Sequence, residues 1–99
     1  MKPTEAEANR GVTIFFYATF GGRDNWSLPM AVPPGERLIA LFSRLEETLY
    51  REIKEKLLDP DYSSYALSVD GKILSKEELN QARLQGSEKI TIFARLVGG

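Results

Sequence analysis

Apolar and polar residues alternate along two stretches of this chain, and in a third the apolar residues recur every three or four positions. Alternation puts every second side chain on one face of a strand. Recurrence at three and four builds a single stripe along a helix. From Gly11 to Phe20 one parity holds Val12, Ile14, Phe16 and Ala18, and the other holds Thr13, Phe15, Tyr17 and Thr19. The first set is wholly apolar and is the predicted core face. The segment from Lys89 alternates likewise, with Ile90, Ile92, Ala94 and Leu96 on one side and Thr91, Phe93 and Arg95 on the other. Between them Leu38, Leu41, Phe42, Leu45, Leu49, Ile53 and Leu57 form one apolar stripe, which predicts a long helix with Glu47 and Arg51 paired on its wet side. At ~1.5 Å per residue such a helix would run roughly 30 Å.

Turn chemistry separates these elements. Gly21-Gly22-Arg23-Asp24-Asn25 predicts a turn, and Trp26 to Val32 a returning strand in which Pro29 argues for an edge position or a bulge. Pro33-Pro34-Gly35-Glu36 precedes the helix and Asp59-Pro60-Asp61 stops it. Tyr65 to Val69 predicts a third strand, Asp70-Gly71 a tight turn, and Ile73-Leu74 a short partner. Ser75 and Glu78 have capping-box spacing, so a brief second helix is expected to run to about Leu84, with Gly86 breaking it. One long helix covers one face of one small sheet. The first and last strands are the most apolar, so they are predicted to lie in the centre, side by side and parallel across the helical crossover. The expected class is α+β, a β-grasp of four to five strands in a mixed sheet with the helix on one face. The expected organisation is a flexible leader over 1–10, the folded domain over 11–96, and a flexible tail over 97–99.

Composition removes whole classes of chemistry. The chain has 99 residues, no cysteine and no histidine, which excludes thiol nucleophiles, disulfides, cysteine or histidine metal ligands and histidine triads. A formal net charge of −1 gives no electrostatic footprint for nucleic acid or an anionic membrane. No segment has a signal-peptide core or the length of a membrane span, so a cytoplasmic protein is expected. Asp59, Asp61 and Asp70 lie among turn residues without metal-ligand spacing, and no metal site is expected. Without paired carboxylates at a useful distance, an independent enzyme is not expected either.

What remains is the final run, Lys89-Ile-Thr-Ile-Phe-Ala-Arg-Leu-Val-Gly-Gly99. A core strand leads to two glycines, which suits a terminal carboxylate that must reach an enclosed site where side chains would block its approach. Phe15, Tyr17 and Phe93 fall on the face away from the helix and are expected to form an exposed aromatic patch, with Arg95 at its edge.

A β-grasp domain ending in Val97-Gly98-Gly99 resembles the ubiquitin-like sulfur carriers, among them the small subunit of molybdopterin synthase, the thiamine-pathway sulfur carrier and the ubiquitin-related modifier. The resemblance spans roughly residues 11–99. It is carried by Thr13-Ile-Phe-Phe-Tyr-Ala18, Ser68-Val-Asp-Gly71 and Ile90-Thr-Ile-Phe93 leading to the glycine pair. It implies that a partner enzyme adenylates the carboxylate of Gly99 with ATP and that sulfur then replaces AMP, with Gly98 giving access. This chain would bind no cofactor itself. The implied partners are an E1-like adenylating enzyme and a larger synthase subunit, contacted through Phe15, Tyr17, Phe93, Arg95, Leu96 and Val97. Molybdopterin-type subunits usually carry a Pro-Pro pair before the tail, where this chain has Ala94-Arg95-Leu96; Arg95-Leu96-Val97-Gly98-Gly99 is closer to ubiquitin itself. A lysine-conjugated modifier and a non-reactive interaction domain are the alternatives.

Overall fold

A computed structural model describes residues 10–58 and 65–94. The elements in chain order are β1 (Arg10–Phe20), β2 (Arg23–Val32), β3 (Glu36–Arg37), α1 (Leu38–Ser43), α2 (Glu47–Ile53) continued by a π-helical turn (Lys54–Leu58), β4 (Tyr65–Val69), β5 (Lys72–Ile73), α3 (Lys76–Gln81), β6 (Arg83–Leu84) and β7 (Lys89–Ala94). Five strands form the main sheet in the order β2-β1-β7-β4-β5, and β3 pairs with β6 in a small second sheet. The two central strands, β1 and β7, run parallel with Ile14 opposite Ile90 and Phe16 opposite Ile92. The remaining main-sheet pairs are antiparallel. A mixed sheet with a parallel central pair joined through helices that cover one face is the ubiquitin-like β-grasp.

Burial follows the alternation. Val12, Ile14 and Phe16 on β1, Leu67 on β4 and Ile90 and Ile92 on β7 are sealed under the helices, whose whole stripe from Leu38 to Leu57 is buried. Ala18 is half-buried and Ala94 exposed. At ~25 cal/mol per Å² of apolar surface removed from water, this single cluster is the fold's main source of stability.

The long helix is broken. α1 closes with Arg44 and Leu45 N–H groups bonded three residues back, to Leu41 and Phe42 carbonyls at 3.1 Å each. Glu46 then takes an extended backbone (φ −54, ψ 141) and caps α2. Its carboxylate accepts from the N–H groups of Thr48 and Leu49 at 3.0 and 3.2 Å. The hydrophobic stripe is blind to this, because Leu45 and Leu49 stay in phase across the break.

Three other boundaries differ from the sequence reading. β2 begins at Arg23, since only Gly21 and Gly22 make the turn, at φ 62 and 75. A bulge opposite Asn25 separates the pairs Phe16–Trp26 and Thr19–Asp24, so the β2 alternation skips there. The second helix stops at Gln81, because Arg83 and Leu84 pair with β3 instead of extending it. The capping box itself is formed: Ser75 Oγ accepts from Glu78 N–H at 3.1 Å, and Ser75 N–H donates to Glu78 at 3.0 Å.

Candidate functional site

The face of the sheet away from the helices carries the aromatic residues that the parity of β1 and β7 predicts. Phe15 and Tyr17 stand two apart on β1, their rings stacked with centroids 6.3 Å apart. Phe93 lies level with Tyr17 on β7. Tyr17 is 53% exposed, while Phe15 and Phe93 are half-buried by their neighbours. Lys89, level with Thr13, brings its ammonium 4.9 Å from the Phe15 ring, a cation–π contact that leaves positive charge at the foot of the patch.

Small residues continue this face toward β4. Ala66 sits opposite Phe93 and Ser68 opposite Thr91, and both are buried although they point to the open side. Beyond Ser68 stands Ile73 on β5, also 53% exposed. The sequence reading placed Ile73 in a short strand without assigning it to this surface. The Asp70–Gly71 turn contained the missing signal: with φ of 50 and 89 it is a two-residue turn that fixes Ser68 opposite Ile73, and hence Ile73 on the face of Ser68. Ala66, Ser68 and Thr91 thus lie in register between the aromatic residues and Ile73.

β7 leads upward past Phe93 to Ala94, beside this patch. Arg95, Leu96, Val97, Gly98 and Gly99, the other residues assigned to the site, lie outside the described residues, as do Asp59 and Asp61. Asp70 is engaged structurally, accepting from the Lys89 N–H at 2.9 Å. Among the described residues no group of three acidic residues could hold a metal ion, and no helix is long and apolar enough to cross a membrane. Carboxylates with shifted ionisation are structural. Hydrogen bonds from Thr48 and Leu49 hold Glu46 below the usual carboxylate range, and those from Ser75, with Lys72 beside it, do so for Glu78. For Glu52 burial pushes upward, but the Gly21 N–H and the Lys56 ammonium outweigh it and the net shift is down.

No protein-family model matches this chain, and no curated protein matches it. Among solved structures, ubiquitin from Caldiarchaeum subterraneum is similar, at 23% identity and a TM-score of 0.42, covering 92% of this chain and 99% of that one. At that distance the assignment of the fold rests on the strand order and the parallel central pair described above.

Proposed function

We propose that this chain is a protein co-substrate, a sulfur carrier whose Gly99 carboxylate is activated by a partner enzyme for cofactor biosynthesis of the molybdopterin type. The observation that supports it is the placement of Tyr17 and Phe93 side by side on the central parallel strands, directly before the Arg95-to-Gly99 run. A partner seated on that patch receives the tail at its own active site. The binding energy gathered on the patch offsets the cost of ordering the glycines.

In the proposed reaction a carboxylate oxygen of Gly99 attacks the α-phosphorus of ATP and diphosphate leaves. Hydrosulfide then attacks the acyl carbon, the C–O bond to AMP breaks with its electron pair, and a thiocarboxylate remains. Gly98 and Gly99 present no side chain to the nucleotide. ATP belongs to the partner, and a larger synthase subunit would take the thiocarboxylate.

A lysine-conjugated modifier is the second reading, favoured by the ubiquitin-like run Arg95-Leu96-Val97 before the glycines. It shares the activation step and uses an amine as the nucleophile. Intact mass spectrometry separates the two after incubation with ATP, hydrosulfide and an adenylating enzyme of the sulfur-carrier type from the same source. Exchange of one oxygen for sulfur, lost on deleting Gly99, is the expected result. Adducts on target lysines would establish the modifier instead, and an unchanged mass beside an active control carrier would overturn both.

A further inference from the structure

The two strands that flank β7 are bridged near its end by aromatic rings and a lysine. β1 and β4 pair with β7 on either side, and Tyr65 of β4 stands opposite Ala94, the last residue of β7. Neighbouring strands lie ~4.8 Å apart, so β1 and β4 are separated by about twice that. Rings from the two nevertheless meet on the helix side of β7. The centroids of Phe20 and Tyr65 are 5.5 Å apart, edge to face at 79°. Phe20 is fully buried and Tyr65 half-buried.

Lys56 joins both rings to the helices. It stands in the π-helical turn Lys54–Leu58, an irregularity often found where a helix serves a function. Its Nζ lies 4.8 Å from the centre of the Phe20 ring and 5.2 Å from that of Tyr65. The same ammonium donates to the Thr19 carbonyl at 3.5 Å and to Glu52 at 2.8 Å. The other Glu52 oxygen accepts from the Gly21 N–H at 2.8 Å. The Lys56 and Glu52 side chains are only 24% and 23% exposed, so salt screens them less than a surface pair.

The end of β1 is also held from the edge strand, where Trp26 Nε1–H donates to the Phe20 carbonyl at 2.8 Å. Phe20 is therefore a fixed wall. Lys56 ties Tyr65 to that wall, and Tyr65 pairs with the last residue of β7. Gly99 follows Ala94 by five residues. A displacement of about 1 Å far from the chemistry can lower a rate by about 100-fold.

We propose that Lys56 is a positioning residue for activation of the Gly99 carboxylate. By drawing Phe20 and Tyr65 together it fixes the end of β7 from which the reactive run departs. The inference rests on the carrier reading given above. Lys56 touches neither ATP nor the reacting carbon in this scheme. Tyr17 and Phe93 gather the partner on the open face, whereas Lys56 acts from the helix face. The first contribution appears in KM and the second in kcat.

Lys56→Met keeps an apolar stem and removes the charge, whereas Lys56→Arg keeps a cation for the rings and for Glu52. The assay is ATP–diphosphate exchange by an adenylating enzyme of the sulfur-carrier type from the same source, with this chain as the varied substrate. Lys56→Met should lower kcat by roughly 10- to 100-fold with KM unchanged, and Lys56→Arg should recover most of the loss. Amide exchange at the Tyr65–Ala94 pair should quicken roughly tenfold in the Met variant, while the Ile14–Ile90 pair keeps its protection. Glu46→Ala, which loosens the helix break instead, is the control for lost stability and should leave kcat unchanged. Tyr65→Leu removes the ring but stays apolar, so it carries the test should Lys56→Met fail to fold. An unchanged kcat, a loss confined to KM, a loss that Lys56→Arg does not recover, or an equal loss in Glu46→Ala would overturn the inference alone. A parent chain that is not adenylated beside an active control carrier would overturn the carrier reading and this inference with it.

Discussion

Tyr17 and Phe93 lie level on neighbouring parallel strands, although residues 18–92 separate them in the chain. Their adjacency follows from the crossover that places the first and last strands together. An aromatic pair made this way marks the end of β7 from which the glycine run departs.

Replacing Tyr17 with Glu puts a charge in the middle of that patch. Because Tyr17 is 53% exposed, stability should stay within about 0.5 kcal/mol of the parent. Under the proposed function, activation by an adenylating partner should weaken by roughly 10- to 100-fold, the loss of about 1.4–2.8 kcal/mol expected if Tyr17 is central to that interface. Paired thermal melts and steady-state KM measurements check both halves, and a change confined to stability would remove the patch from the partner interface.

Glu46 interrupts the helix by capping Thr48 and Leu49. Glu46→Ala leaves those N–H groups without their acceptor, so the melting temperature should fall and amide exchange at Thr48 and Leu49 should quicken. Glu46→Asp should recover much of the cap, since a shorter carboxylate is a favoured capping group. Amide exchange read residue by residue is the measurement, and unchanged protection in the Ala variant would dismiss the cap as the cause of the break.

Gly71 sits at φ +89 with open space where a Cβ would go. Gly71→Ala therefore meets backbone strain without a clash, and should cost about 1–2 kcal/mol. Chemical denaturation gives the number. A loss of stability with the Ser68–Ile73 register intact is expected, and register can be followed by cross-strand nuclear Overhauser contacts.

The chain lacks histidine, so no side chain with an ordinary ionisation range titrates between pH 6 and 8. Glu46, Glu52 and Glu78 are each held below their usual value of 4.5. A carboxylate with a lowered folded-state pKa adds stability above the unfolded value, and that contribution is lost as pH falls through the folded one. Melting temperature should therefore be level from pH 6 to 8 and drop below about 4.5 as the carboxylates protonate. Glu52→Gln should flatten part of that drop, because the Gly21 N–H and Lys56 lose their ionised partner. A parallel pH profile in the variant would assign the acid transition to other groups.

Much of the architecture was written in local pattern. The apolar parity of Val12, Ile14 and Phe16, the stripe from Leu38 to Leu57, the Asp70–Gly71 turn and the Ser75–Glu78 box each act through neighbours within a few positions, so sequence alone determined β1, β4 and β7, the buried helix face and the capped start of α3. The same parity placed Phe15, Tyr17 and Phe93 on the open side. Tertiary structure decided the rest. Glu46 could break the helix because Leu45 and Leu49 remain buried on either side of it, a compensation that exists only once the core is packed. Leu84 left the helical pattern to pair β6 with β3, a contact between segments far apart in the chain. Ile73 joined the patch through register. No periodicity along one segment encodes a contact made between two.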